Sequence, residues 1–116
     1  MQPIYSTAGD WVALLHDGFL FDTRGEWIAW LDGKDVYTRD GAYAGFLSGD
    51  GRVVCGRVHK QRPLRAVPAA PSRVRPPALV PLAPMFAELP WQLVDVFEDG
   101  PEVFEHVSDL RPDWEG

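Results

Sequence analysis

A sixteen-residue period runs three times through the N-terminal half of the chain, as Pro3 to Gly18, Phe19 to Lys34 and Asp35 to Asp50. Laid over one another, the units repeat their chemistry column by column. Tyr5, Phe21 and Tyr37 are aromatic, and Ser6, Asp22 and Thr38 each carry a short side chain with an acceptor oxygen. Gly9, Gly25 and Gly41 align, followed two residues on by Trp11, Trp27 and Tyr43. Small residues come next (Ala13, Ala29, Gly45), then Leu15, Leu31 and Leu47. Self-similarity at a fixed spacing means one supersecondary unit copied in tandem, each copy burying its apolar surface against its neighbours.

Each unit is long enough for one β-hairpin. A short strand such as Leu20-Phe21-Asp22 meets a turn and returns as a longer strand, Trp27-Ile28-Ala29-Trp30-Leu31. Ser, Asp or Thr opening the turn, with Gly at its fourth position, is the pattern of a type I turn closed by a glycine at positive φ. Gly9, Gly25 and Gly41 are therefore read as structural turn residues, because a Cβ there would be strained. Turn-forming clusters also separate the units, at His16-Asp17-Gly18, Asp32-Gly33-Lys34 and Ser48-Gly49-Asp50. Evenly spaced strands with no helical stretch between them predict an all-β fold of tandem hairpin repeats.

Simple alternation along the longer strand puts Trp27, Ala29 and Leu31 on one face and Ile28 and Trp30 on the other. Both faces are apolar, so each needs a cover, which a small set of hairpins supplies poorly alone. The small column Ala13, Ala29 and Gly45 permits close backbone approach near a shared axis. Pseudo-symmetry and self-association into a homo-oligomer are the expectations. A fourth unit starts at Gly51 with Val53 sixteen residues after Tyr37, but its glycine comes early and no aromatic strand follows. Its outer strand is either very short or supplied from later in the chain.

Composition then divides the chain into residues 1–60, the hairpin module, 61–90, a proline-rich basic segment expected to pack on that module, and 91–116, an acidic C-terminal segment. The middle segment holds eight prolines, which favour extended polyproline-like backbone, yet it is too apolar for an idle linker. Charge follows the same blocks. Residues 1–51 carry eight acids and three bases, 52–75 seven bases and no acid, and 76–116 nine acids and one base. A basic segment between acidic ones is expected to lie on them, in the same chain or in a neighbour. In the last segment Trp91 to Phe97 reads equally as strand or helical turn. Asp99 or Gly100 as N-cap and Pro101 in the first turn predict a short helix from Pro101 to Leu110.

The tandem pattern aromatic-x-x-x-Gly-x-aromatic, in Tyr5/Gly9/Trp11, Phe21/Gly25/Trp27 and Tyr37/Gly41/Tyr43, resembles the bacterial four-fold β-flower proteins. So do Arg62-Pro63-Leu64-Arg65 and Arg73-Val74-Arg75-Pro76-Pro77 in the segment that follows. The resemblance covers about residues 3–77. It implies a small β-fold with four-fold pseudo-symmetry, and it brings no catalytic residues with it.

Nothing in the sequence spells a reaction. His16, His59 and His106 lack metal-ligand spacing, and the lone Cys55 excludes both an intrachain disulfide and a cysteine-rich zinc site. Arg52 and Arg57 near Cys55 could depress its thiol, but a small half-buried hydrophobe is the simpler reading. Ser6, Ser48, Ser72 and Ser108 sit in no nucleophile elbow. Asp10, Asp22, Glu26 and Asp40 recur because turns favour them. No catalytic residue, metal or cofactor is implied. No apolar run is long enough to span a membrane, and no signal peptide is recognised, so a cytoplasmic location is expected. An acidic total of -6 and a proline-broken basic block argue against nucleic acid as partner. The expected function is a non-enzymatic oligomerising module acting through protein–protein contact. The alternative is a ligand-binding module in which Trp11, Trp27 and Tyr43 form an aromatic platform for a glycan or an extended peptide.

Overall fold

The structure is a computed structural model and describes residues 1–58 and 62–104. The strands are β1 (Gln2–Tyr5), β2 (Trp11–His16), β3 (Phe19–Phe21), β4 (Trp27–Asp32), β5 (Asp35–Thr38), β6 (Tyr43–Leu47), β7 (Val53–Gly56) and β8 (Leu93–Asp95). All pair antiparallel with their sequence neighbours in one curled eight-stranded sheet, in the order β1 to β8. A helical turn, α1 (Val96–Asp99), follows, and then a 3-10 turn over Pro101–Phe104.

The three repeats are three hairpins, and their turns are built alike. Ser6 N–H donates to the Asp10 carbonyl at 2.8 Å and Gly9 N–H to the Ser6 carbonyl at 2.9 Å, with the same pair of bonds at Asp22 to Glu26 and Thr38 to Ala42. Gly9, Gly25 and Gly41 have φ of 96°, 89° and 91°. The opening side chains add bonds of their own, as where Asp22 Oδ1 accepts from the N–H groups of Arg24 and Glu26.

Simple alternation fails in the longer strands, and the reason is a bulge repeated in each hairpin. Leu20 pairs with Ala29 and Phe21 with Trp27, so Ile28 has no partner. Val12 and Ala44 are passed over in the same way. Leu20 and Phe21 point to opposite faces, so their partners Ala29 and Trp27 do too. Trp27 therefore leaves the face of Ala29 and Leu31, and Ile28 packs with them instead. The core consists of Ile4, Ala13, Leu20, Ala29, Val36, Val53, Val96 and Phe104, with Val12, Ile28, Ala44 and the leucines 15, 31 and 47 against it. The other face carries the aromatics Tyr5, Phe21, Trp30 and Tyr37, all buried.

The fourth unit is offset by one residue. Val53 joins Ile4, Leu20 and Val36 in the core, seventeen residues after Val36, and not the Tyr37 column. The extra residue lies in the turn between β6 and β7, where Leu47 pairs with Val53, whereas Leu31 pairs with Val36 across a shorter loop. That turn, Ser48 to Gly51, is a fourth copy of the Ser/Asp/Thr-x-x-Gly turn, with Ser48 N–H on the Arg52 carbonyl at 2.7 Å and Gly51 N–H on the Ser48 carbonyl at 3.0 Å. The outer strand of the fourth hairpin is β8, where Val54 faces Asp95 and Cys55 faces Val94.

The C-terminal segment departs from expectation in detail. Leu93 to Asp95 is strand and Val96 to Asp99 helical, capped by Asp95, whose side chain accepts from Phe97 N–H. Gly100 interrupts this turn, so Pro101 opens only a 3-10 turn to Phe104. The rest of the expected helix, through Leu110, lies outside the described residues.

Candidate functional site: the aromatic face and its belt

The connection from Gly56 to Leu93 is the loop of the fourth hairpin, drawn out into a belt that visits the other three. It passes the third hairpin first. Arg65 N–H donates to the Gly41 carbonyl at 2.9 Å, and the Arg65 guanidinium reaches Tyr37 Oη at 2.9 Å and Asp32 Oδ2 at 2.7 Å. At the second, Val74 N–H donates to the Gly25 carbonyl at 3.1 Å, while Arg73 meets Glu26 at 3.1 Å. At the first, Tyr5 Oη donates to the Pro81 carbonyl, and Ala83 lies against Gly9. Phe86 then stacks under the Arg52 guanidinium, 4.7 Å from ring centroid to Cζ. Arg65, Val74 and Ala83 are nine residues apart, a step of about 28 Å at the roughly 3.1 Å rise of polyproline II.

From Val80 to Leu89 burial along the belt has a period of three. Val80, Ala83, Phe86 and Leu89 are half-buried, and the residues between them are exposed. Extended backbone without internal hydrogen bonds can give its N–H groups to the hairpin turns, and proline costs it nothing at the other positions.

Of the aromatic column, Tyr43 meets the belt, at Arg62. Trp11, Trp27 and Tyr43 are half-buried on the bulge side of their hairpins. Trp11 and Trp27 donate their indole N–H to the carbonyls of Ala13 and Ala29, at 2.9 and 2.7 Å, which fixes the rings along their own strands. The Arg39 guanidinium lies 5.0 Å over Trp27, and its buried Nε has no hydrogen-bond partner among the described residues. Arg62 lies 3.7 Å over Tyr43. Burial raises the Tyr43 phenol pKa, with the Arg62 charge opposing. The faces of Trp27 and Tyr43 are thus occupied by the chain's own cations, each contact worth about 0.5–1 kcal/mol where exposed.

First and last hairpins are latched by a polar network. Asp95 Oδ2 accepts from Thr7 N–H and Thr7 Oγ1, both at 2.7 Å, and Glu98 accepts from Ala8 N–H at 2.7 Å. Arg52, buried, donates to Thr7 Oγ1 at 3.1 Å and pairs with Asp50 at 2.6 Å. The hydrogen bond from Arg52 is the main reason the Asp50 carboxyl is held below the usual range.

Two clefts flank the belt. One of about 500 Å3 lies between Thr7, Arg57, Glu88, Trp91, Asp95 and Glu98. The other, of about 520 Å3, is walled by Phe19, Trp30, Asp32, Arg65, Val67 and Pro68. Asp95 and Glu98 in the first are committed to backbone N–H groups, and Asp32 in the second to Arg65. The turn acids are occupied likewise, Asp22 in capping and Glu26 in its ion pair. Ser6 and Ser48 accept from the turn N–H groups of Asp10 and Arg52. Burial, reinforced by the Asp99 charge, pushes the Cys55 thiol up, so Arg52 and Arg57 do not activate it. His16 sits 3.4 Å from its neighbour Asp17, while His59, His106 and Ser108 lie outside the described residues. Among the described residues no group of His, Cys, Asp and Glu is placed to hold a metal ion, and no helix is long and apolar enough to cross a membrane.

Sequence reasoning missed the contribution of Pro81, Ala83 and Phe86 to the belt's docking face. The signal was present as the nine-residue spacing of Arg65, Val74 and Ala83, visible only once the turns they meet are known. No curated protein matches the chain, and no solved structure does. The family model of the 4-fold beta flower protein matches residues 2–92, from β1 through the hairpins and the belt to the edge of β8. Three bulged hairpins, a fourth closed by a returning strand, and a match over most of the length place this chain in the 4-fold beta flower family.

Proposed function

We propose that this chain is a non-enzymatic module that works through protein–protein contact and self-associates. One observation carries the reading: the outer face of the belt presents Leu79, Leu82 and Met85 at 87, 96 and 101 % exposure. Single exposed leucines are ordinary, but three large apolar side chains at regular spacing on a docked segment form a contact surface. Contacts on the inner face hold the belt, so these three side chains do not serve its docking.

The polar groups support the same conclusion. Asp95, Glu98 and Asp32, three of the carboxylates in the clefts, are spent on a helix cap, turn N–H groups and an ion pair. Arg62, Arg65 and Arg73 already meet Asp35, Asp32 and Glu26, so little of the basic block remains for a phosphate backbone. A cytoplasmic setting accords with the single unpaired Cys55. Sedimentation equilibrium of the full chain tests the proposal. The average mass should rise with concentration in the wild type and stay monomeric for Leu82→Glu/Met85→Glu. A wild type that is monomeric up to millimolar concentration would overturn it.

A further inference from the structure

Three consecutive residues of the first hairpin, Gly9, Asp10 and Trp11, hold open what their counterparts in the next hairpin have filled. The Gly25 and Gly41 carbonyls each accept a belt N–H, and both glycines are buried. Gly9 is exposed, and its carbonyl accepts no backbone N–H among the described residues. Glu26 pairs with Arg73 at 3.1 Å. Its counterpart Asp10 is exposed, and its carboxylate has no hydrogen bond or ion pair among the described residues. Guanidinium groups lie over Trp27 and Tyr43, from Arg39 and Arg62, but none lies over Trp11 among the described residues.

The sequence accounts for the difference. Thr23 stands sixteen residues before Arg39 and carries no cation to the ring of the preceding hairpin. Leu82 precedes Ala83, which meets Gly9, as Arg73 precedes Val74 at Gly25, so the belt brings a leucine where it had brought an arginine. That leucine is 96 % exposed. We infer that Gly9, Asp10 and Trp11 bind an arginine from an extended segment of a partner protein. Its guanidinium donates to the Asp10 carboxylate and the Gly9 carbonyl and rests on the Trp11 ring. The inference builds on the reading that this module works through protein–protein contact. A carboxylate, a carbonyl and a π face all call for a donor or a cation, and the Trp11 indole N–H is already spent on Ala13. A guanidinium carries several donors in one plane and a flat face for the ring, which a lysine ammonium does not. Eight acids against three bases over residues 1–51 favour a cation further. Every described arginine except Arg75 is engaged within the chain, so another protein is the richer source.

The probe is the sequence that docks on the second hairpin, a capped Pro-Ser-Arg-Val-Arg-Pro peptide copied from residues 71–76, added to the isotope-labelled full chain. In amide NMR at low ionic strength, Gly9, Asp10 and the Trp11 indole N–H should shift along one saturation curve. Gly25, Glu26 and Trp27, already covered, should stay in place. Asp10→Asn keeps the backbone bonds of the turn and should weaken binding about tenfold, as should citrulline in place of both peptide arginines. Asp10→Glu should restore it. Binding indifferent to Asp10→Asn or to citrulline, or shifts in the second hairpin and not the first, would overturn the site. Asp10→Asn should also leave self-association of the chain unchanged in sedimentation. Its loss there would make Arg75 of a second copy the occupant and overturn the assignment to another protein. Self-association without any peptide shift would overturn this site and leave the self-association standing.

Discussion

The backbone N–H of Arg65 donates to the Gly41 carbonyl at 2.9 Å, and the two backbones are too close for a side chain to lie between them. The hairpin turn and the belt are in effect one surface here. A Cβ on Gly41 would overlap the Arg65 carbonyl oxygen, at a φ of 91° that already disfavours one. Gly18, with φ of 80° and open space around it, meets only the second penalty. Gly18→Ala should cost about 1 kcal/mol and Gly41→Ala about 3 or more, read as midpoint shifts in urea unfolding. Equal losses would mean that the belt does not press on the turn.

Gly45 makes the converse point about repeats. The first two units have Ala13 and Ala29 in its place, so Gly45→Ala looks like a consensus repair. Its Cβ would overlap the Val54 carbonyl oxygen of β7, at a φ of 150° that already disfavours one. The variant should lose about 2 kcal/mol, measured by thermal or urea unfolding. A gain in stability would show that β7 is placed wrongly.

The hairpins, their turns and the glycines at positive φ were legible in the sequence because each depends on residues close in the chain. The face of Trp27 was not, since a bulge at Ile28 leaves the composition of the strand unchanged and reverses its direction. Nor was the register of the fourth unit: one residue added between Ser48 and Gly51 moves Val53 from the aromatic column into the core. Leu93-Val94-Asp95 is too short to announce itself as strand, and only β7 waiting without an outer partner makes it one. Of the candidate platform, the residues were legible and the guanidinium groups of Arg39 and Arg62 over them were not.

Asp95 joins three functions in one side chain: the α1 N-cap, the latch to Thr7 and the end of β8. Asp95→Ala should cost about 2–4 kcal/mol, since a lost cap and the buried donors left behind both count. Asp95→Ser keeps the cap alone and should recover part of that loss. If the alanine variant unfolds with the wild type in urea, the latch contributes nothing.

The belt's N–H groups are used selectively. Val74 donates to Gly25, while Ala78 is exposed and donates to no group among the described residues. Val74→Pro should destabilise by about 1 kcal/mol, whereas Ala78→Pro, at an exposed bend and with no hydrogen bond to lose, should cost less. Denaturation midpoints in the reverse order would exclude the docked register.

Two titrating groups set opposite pH limbs. The folded Asp50 carboxyl has a lowered pKa, chiefly through the Arg52 hydrogen bond. Its contribution is therefore present above the unfolded carboxylate pKa and lost as pH falls through the folded value, and Asp50→Asn should flatten that acid limb. Burial raises the Cys55 thiol, so its contribution is present below the unfolded thiol pKa and lost as pH rises through the folded one. At mildly alkaline pH, alkylation of the folded chain by iodoacetamide should be about tenfold slower than in denaturant. Equal rates would contradict the half-buried placement of Cys55.

Amide hydrogen exchange resolved by residue measures directly whether the belt is docked along its own sheet. The Arg65 and Val74 amides, nine residues apart, should be protected far beyond the Ala78 amide. Exchange of all three at the rate of an unstructured peptide would contradict it.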